Sequence, residues 1–160
     1  MNALQQIIAL VIILVICFIV AGIGSVATTP NIESWYKNLA KPAWTPPNWL
    51  FGPVWTILYI TMAISAWLVW RDIGLSKAAI PLAIFALQLI LNALWSWLFF
   101  GAHNPGAAMV EIVALWAAIL ATIILFWRIT PLAGALMLPY IAWVTFASAL
   151  NFAIWRLYGA

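Results

Sequence analysis

The chain has 160 residues, of which 68% are hydrophobic and 6% charged, and its formal net charge is +3. So few charges cannot cover a water-soluble domain of this length, which excludes a soluble globular protein and leaves an integral membrane protein. The basic residues are scattered over loops, where they serve as bilayer anchors, and no nucleic-acid partner is expected.

The first predicted helix covers about 4–27, long enough to cross a hydrocarbon core. The six residues Met1 to Gln6 carry no Lys or Arg, and the apolar run Ile7 to Val26 exceeds a signal core, so a retained span is expected. Cys17 is the only cysteine; it lies mid-span and is read as a small buried apolar residue, with no intrachain disulfide open to it. A long connection follows over about 28–47. It carries Glu33, Lys37 and Lys41 and closes on Trp44-Thr45-Pro46-Pro47, where proline restricts both itself and the residue before it.

Four further helices are predicted at about 48–70, 78–101, 105–128 and 131–155, each long enough to span. Pro81, Pro105 and Pro131 stand near helix starts, where a missing N–H costs nothing. Pro53 falls in the first turns of the second helix, and Pro139 lies inside the fifth, where a bend is expected. Three connections are very short, so successive helices are antiparallel neighbours. Runs such as Leu4 to Val20 do not alternate as barrel strands would. The expected fold is therefore all-α and integral to the membrane: one five-transmembrane-helix bundle over 1–160, with residues 28–47 as a lid. Its termini lie on opposite sides, here X for the N-terminal side and Y for the other. Arg71, Lys77 and Arg128 fall on X, and Lys37, Lys41 and Arg156 on Y. The positive-inside rule leaves orientation undecided.

Polar and aromatic residues converge on one leaflet. Gln88, Asn92, Trp95 and Phe99 share a face of the third helix. Pro139, Trp143, Ala147, Leu150 and Asn151 make a stripe on the fifth, and Trp55, Tyr59 and Met62 one on the second. An amide within a span is costly unless it faces protein or a cavity, so Gln88 and Asn92 are expected inside the bundle. Helix direction places Asn92, Trp95, Asn151, Trp55 and Glu111 in the Y half, beneath the long loop, with Gly22, Gly24 and Ser25 ending the first helix there. This arrangement suggests a pocket with a lid, lined for a large, flat, apolar ligand.

Plainer roles stand beside these. Trp35, Trp44, Trp49, Trp67, Trp70, Trp127 and Trp155 lie near helix ends or in the lid and are read as belt or packing residues. Trp95 and Trp143 fit a core as well as a pocket, Trp97 and Trp116 fit a lipid face, and Asn92 fits helix-to-helix bonding. Glu111 is expected to be tolerated near its helix start by the dipole and headgroup water, and His103 to be a surface loop residue. One His, one Cys and three carboxylates assemble no metal cluster and no nucleophile–base set. No metal and no required cofactor are expected.

The motifs also carry a resemblance. Trp35-Tyr36, then Lys41-Pro42-Ala43-Trp44-Thr45-Pro46-Pro47, then Pro53-Val54-Trp55, lead into Gln88-Leu89-Ile90-Leu91-Asn92 with Trp95 and Phe99-Phe100-Gly101. Pro139-Tyr140-Ile141-Ala142-Trp143 and Leu150-Asn151 follow. In that order, over nearly the whole chain, they resemble the TSPO/MBR family, the translocator proteins or tryptophan-rich sensory proteins. The resemblance implies a five-helix bundle that binds porphyrins such as protoporphyrin IX or haem, dimerises, and serves tetrapyrrole transport or stress sensing. It implies ligand-binding positions at Trp55, Asn92, Trp95, Trp143, Ala147 and Leu150. In some bacterial members, light-dependent oxidation of bound porphyrin is attributed to tryptophans matching Trp55 and Trp143, which would then be catalytic. Phe152 stands where the family's sterol motif wants Tyr, so the strict pattern fails and the sterol expectation is weakened. Ala107 stands where some relatives carry a pocket Trp.

The expected function is thus binding of porphyrins, and of other apolar ligands, in an intrabundle pocket for transport, scavenging or sensing. The alternatives are an enzyme that photo-oxidises porphyrin and a small transporter unrelated to it. The expected location is a bacterial cell membrane, as a multi-pass protein in contact with lipid.

Overall fold

A computed structural model describes residues 1–158; the last two of the expected 1–160 lie outside the described residues. Among the described residues every regular element is helical: α1 Ala3–Ile32, α2 Phe51–Lys77, α3 Ala79–Ser96, α4 Pro105–Ile129, α5 Pro131–Leu136 and α6 Leu138–Leu157. Five helical segments are long and apolar enough to cross a bilayer, with α5 and α6 together making the fifth. The chain is an all-α, multi-pass membrane protein.

Helix ends follow local chemistry. Asn2 caps α1 through a reciprocal pair with Gln5, its Oδ1 accepting from the Gln5 N–H at 2.8 Å and its own N–H donating to Gln5 Oε1 at 3.0 Å. Asn104 caps α4, accepting from the Ala107 N–H at 3.0 Å, with Pro105 in the first turn. Gly74 has φ +77° inside α2, a left-handed value that suits a residue without Cβ, and it lets the chain turn from α2 into α3.

Several boundaries differ from the sequence reading; the second helix runs on to Lys77, past its expected end at about 70. The first helix runs to Ile32, five residues past its expected end. Thr28 and Asn31 donate to the Gly24 and Ala27 carbonyls at 3.0 and 2.7 Å, which extends the helix instead of breaking it. Pro30 is absorbed in its last turns. The fifth helix breaks at Met137, two residues before Pro139, so Pro139 sits in the first turn of α6 and does not bend a continuous helix. The end of the third span, Trp97–Gly101, is wound as a π turn, a form frequent at functional sites.

The two halves of the bundle are built differently. Towards X, Leu68, Val69, Phe85, Ile119, Phe126, Ala133 and Met137 belong to one closed core. Ser65 Oγ crosses it to the Ala133 carbonyl at 2.5 Å. The Arg71–Asp72 pair at 2.8 Å, with a bond from Thr130 to Asp72, ties the X-side ends of α2 and α4. Towards Y the helices stand apart around a cavity, which a second cluster of Tyr36, Phe99, Phe100, Ala108, Leu150 and Ile154 adjoins. The result is a cup closed at X.

Candidate ligand-binding site

The cavity has a volume of about 460 Å³, within the range of small-molecule sites. All six positions singled out as ligand-binding line it: Trp55 from α2, Asn92 and Trp95 from α3, and Trp143, Ala147 and Leu150 from α6. Spans far apart in sequence bring them together because each helix turns its aromatic stripe inward. Trp55 lies 5.9 Å from the Tyr59 ring and 6.3 Å from Tyr140; Trp143 lies 5.6 Å from Phe146 and 6.3 Å from Phe51. Trp95 stacks on Phe99 at 5.1 Å.

A chain of buried hydrogen bonds forms the floor. Gln88 Oε1 accepts from the Tyr140 hydroxyl at 2.7 Å, and that hydroxyl accepts from Asn92 Nδ2 at 2.6 Å. Asn92 Oδ1 accepts in turn from the Tyr59 hydroxyl at 3.2 Å. Asn92 therefore does both things its sequence allowed: it joins α2, α3 and α6, and it presents an edge to the cavity. On the α6 wall Trp95 Nε1 donates to Asn151 Oδ1 at 2.9 Å, while Asn151 Nδ2 donates to the Pro105 carbonyl at 2.9 Å. With its N–H committed, Trp95 is both a packing residue and a wall. Among the described residues the indole N–H groups of Trp55 and Trp143 meet no acceptor, so both donors are unspent.

The lid is more constrained than its sequence suggests. Tyr36–Asn38 forms a 3₁₀ turn, and Lys41 Nζ donates to the Tyr36, Leu39 and Lys37 carbonyls at 2.6, 3.2 and 3.2 Å. The same ammonium lies 4.7 Å from the Tyr36 ring. Desolvation holds the Lys41 pKa below its usual value. Trp35 stacks on His103 at 4.4 Å with planes 5° apart, and His103 Nε2 meets Asn31 Oδ1 at 2.9 Å. His103 is thus a latch partner of the lid, with φ +53°. The lid stretch from Thr28 to about Lys41 is helix first and a pinned turn after that. Thr45 closes the Pro42 turn through bonds of 2.7 and 3.1 Å to its carbonyl, and Pro47 enters the next turn extended. Trp55 faces inward, whereas Trp49 projects outward and is 72% exposed.

Several wall residues carried no sequence signal. Phe18, Ala21 and Thr28 line the cavity from α1, a helix whose uniform apolarity hides its inner face. Phe51 and Phe146 gave no spacing cue beside the tryptophans. Glu111 is buried, and among the described residues neither of its carboxylate oxygens has a hydrogen-bond partner. Trp97 and Trp116 do face outward, yet each spends its N–H on a neighbouring helix, on the Ile23 carbonyl and Thr145 Oγ1 at 3.0 and 2.9 Å.

Known proteins are similar in sequence to most of this chain. The family model described as TspO/MBR family matches residues 11–156. The chain is 46% identical over 128 residues to Protein CrtK of Rhodobacter capsulatus, covering 78% of each. It is 43% identical over 157 residues to the Tryptophan-rich protein TspO of Archaeoglobus fulgidus, covering 98% of this chain and 99% of that one. Similarity extends to the human Translocator protein, 42% identical over 124 residues, 76% of this chain and 73% of the relative. Bacterial relatives also include the Tryptophan-rich sensory protein of Cereibacter sphaeroides, 39% identical over 140 residues, 86% of this chain and 87% of the relative. With its five apolar spans and aromatic cup, this chain belongs to the TspO/MBR family of membrane proteins.

Proposed function

We propose that the protein binds a porphyrin, with protoporphyrin IX or haem as the ligand class, in the Y-half cup, and that binding serves transport, scavenging or sensing. The observation that carries this reading is the lining itself. Trp55, Trp95 and Trp143 supply flat apolar surface, and polar groups are few and placed at edges, which suits a rigid aromatic disc. The relatives' names, sensory protein and translocator protein, agree with a role in signalling or movement. No His or Cys lines the cavity, and the Tyr59 hydroxyl is already bonded to Asn92. The ring would therefore be held mainly by its faces and edges, with the Tyr36 hydroxyl, which has no partner among the described residues, available for a further contact.

Titration of purified protein with protoporphyrin IX, followed by Trp emission, tests this reading. Saturable quenching is expected; linear quenching at the level of empty detergent micelles would contradict it. The same sample under illumination separates binder from enzyme. Trp55 and Trp143, with unspent indole N–H donors, are the residues a photo-oxidation would use. Appearance of a new absorbing product, lost in Trp55→Phe and Trp143→Phe, would give the enzyme. Bleaching at the rate of free pigment would give the binder.

A further inference from the structure

We propose that His103 is a proton-sensitive latch: a proton added to its ring tightens its grip on Trp35 and holds the lid down at the Y end of the cup. His103 is the only histidine in the chain, and it stands in the short connection between the third span and α4. Its imidazole lies flat on the Trp35 indole, with centroids 4.4 Å and planes 5° apart. Trp35 leads into the 3₁₀ turn Tyr36–Asn38, and Tyr36 lines the cup. Trp35 also meets Phe99 edge-on at 5.5 Å, and Phe99 stacks on Trp95 at 5.1 Å. One stack thus joins the loop, the lid and the wall of the cup.

Hydrogen bonding fixes which ring nitrogen responds. Asn31 Nδ2 donates to the Ala27 carbonyl at 2.7 Å, which turns Asn31 Oδ1 towards His103 Nε2 at 2.9 Å. An amide oxygen only accepts, so Nε2 carries a hydrogen whether the ring is neutral or charged. The proton that comes and goes is therefore the one on Nδ1. Among the described residues Nδ1 has no bonding partner, and the residue is exposed, so solvent reaches it. Protonation needs no movement of the ring and acts twice in the same direction. It places a cation over the electron-rich face of Trp35, and it makes the bond to Asn31 charge-assisted. The backbone keeps the imidazole in place. Its φ of +53° is a left-handed value that histidine tolerates better than most side chains. On either side, the Ala102 and Asn104 N–H groups donate to the Trp97 and Leu98 carbonyls at 2.7 and 3.0 Å.

The groups around the latch leave its charge to be read by Trp35. From α1 it meets Asn31 and from the lid Trp35, neither of which titrates. Glu33 and Lys37, on either side of Trp35, pair with each other at 3.9 Å. Lys41 is spent on the Tyr36, Leu39 and Lys37 carbonyls. At the end of α6, Tyr158 meets the Trp35 ring edge-on at 6.0 Å, and Arg156 carries a permanent charge. Among the described residues no carboxylate pairs with the imidazole. Imidazole is the side chain whose charge changes between about pH 5 and pH 8. The closed lid is the form that gains from the proton, so the latch is tight in acid and loosens as pH rises through that range.

The latch does not depend on the porphyrin reading, and its test uses the unliganded full chain in phospholipid nanodiscs. Lid closure is read by hydrogen exchange of the Asn38 and Leu39 amides, which donate to the Trp35 and Tyr36 carbonyls at 3.3 and 3.1 Å. Rates are divided by the intrinsic exchange rate at each pH, and amides of α1 report that each variant is folded. Wild-type protection is expected to be about threefold greater at about pH 5 than at about pH 8. His103→Asn keeps a residue that accepts the left-handed φ and should show the lower protection at both pH values. Trp35→Leu, which keeps the imidazole and removes the ring that reads it, should lose the pH response too. His103→Arg puts a permanent, stacking cation in the same place and should show the higher protection at both. Equal wild-type protection at the two pH values would overturn the latch. So would an undiminished pH response in His103→Asn, or low protection in a folded His103→Arg. If His103→Asn does not fold, wild type against His103→Arg decides it.

Discussion

Single residues divide here into those that hold the cup and those that leave it empty. Ala147 lies one turn from Trp143 and lines the cavity with a single methyl. Ala147→Phe fills that space, so porphyrin affinity should fall by tenfold or more, about 1.4 kcal/mol, with the melting temperature little changed. Unchanged affinity in a folded variant would place the ligand elsewhere. Tyr140 lies at the centre of the floor with its hydroxyl bonded to both Gln88 and Asn92. Tyr140→Phe leaves two buried amides short of a partner and should cost about 1–3 kcal/mol of stability. Tyr36 is the reverse case: among the described residues its buried hydroxyl has no partner, and burial pushes its pKa from 10.0 up to about 12. Because the folded state holds this proton more tightly than the unfolded chain, stability is unaffected below pH 10 and falls as pH rises through about 12. Tyr36→Phe should keep its ordinary melting temperature and lose less of it at high pH. An identical alkaline loss in both proteins would contradict this assignment.

At the scale of elements, the lid lies beside the Y end of the cup, with Tyr36 among its lining residues. The Trp44-Thr45-Pro46-Pro47 stretch is a constrained turn into α2, and replacing Pro46 and Pro47 together by Ala should speed porphyrin dissociation more than association, since the wall contacts remain. If the prolines only start the helix, melting temperature would fall and the off-rate would stay. Helix number, order and stripe faces were legible from the sequence because polar residues in a span must turn inward and their spacing names the face. The end of α1 was not legible. Gly22, Gly24 and Ser25 read as a terminus, yet Gly24 is a packing contact for Ser96 and the chain stays helical to Ile32. The inner face of α1 was equally hidden, because an apolar residue facing a cavity and one facing lipid look alike in sequence. The restraint of the lid by Lys41 and His103 depends on contacts across the fold, which no local pattern records.

The whole molecule is a packed X half carrying a hollow Y half, and the two should answer mutation differently. Phe126 is fully buried in the X core, so Phe126→Ala should cost about 3–5 kcal/mol through the cavity it leaves. Most tryptophans near X, such as Trp67, Trp70 and Trp127, lie away from the cup, whereas Trp55, Trp95 and Trp143 line it. That distribution gives a direct test of where porphyrin sits, because an illuminated porphyrin generates short-lived oxidants that attack the nearest indoles. The measurement is brief illumination of the saturated complex followed by mass-spectrometric mapping of oxidised tryptophan. Oxidation concentrated at Trp55, Trp95 and Trp143, and abolished by Ala147→Phe, is the result expected for a ligand in the cup. Oxidation spread evenly, or centred on Trp67, Trp70 and Trp127, would contradict it.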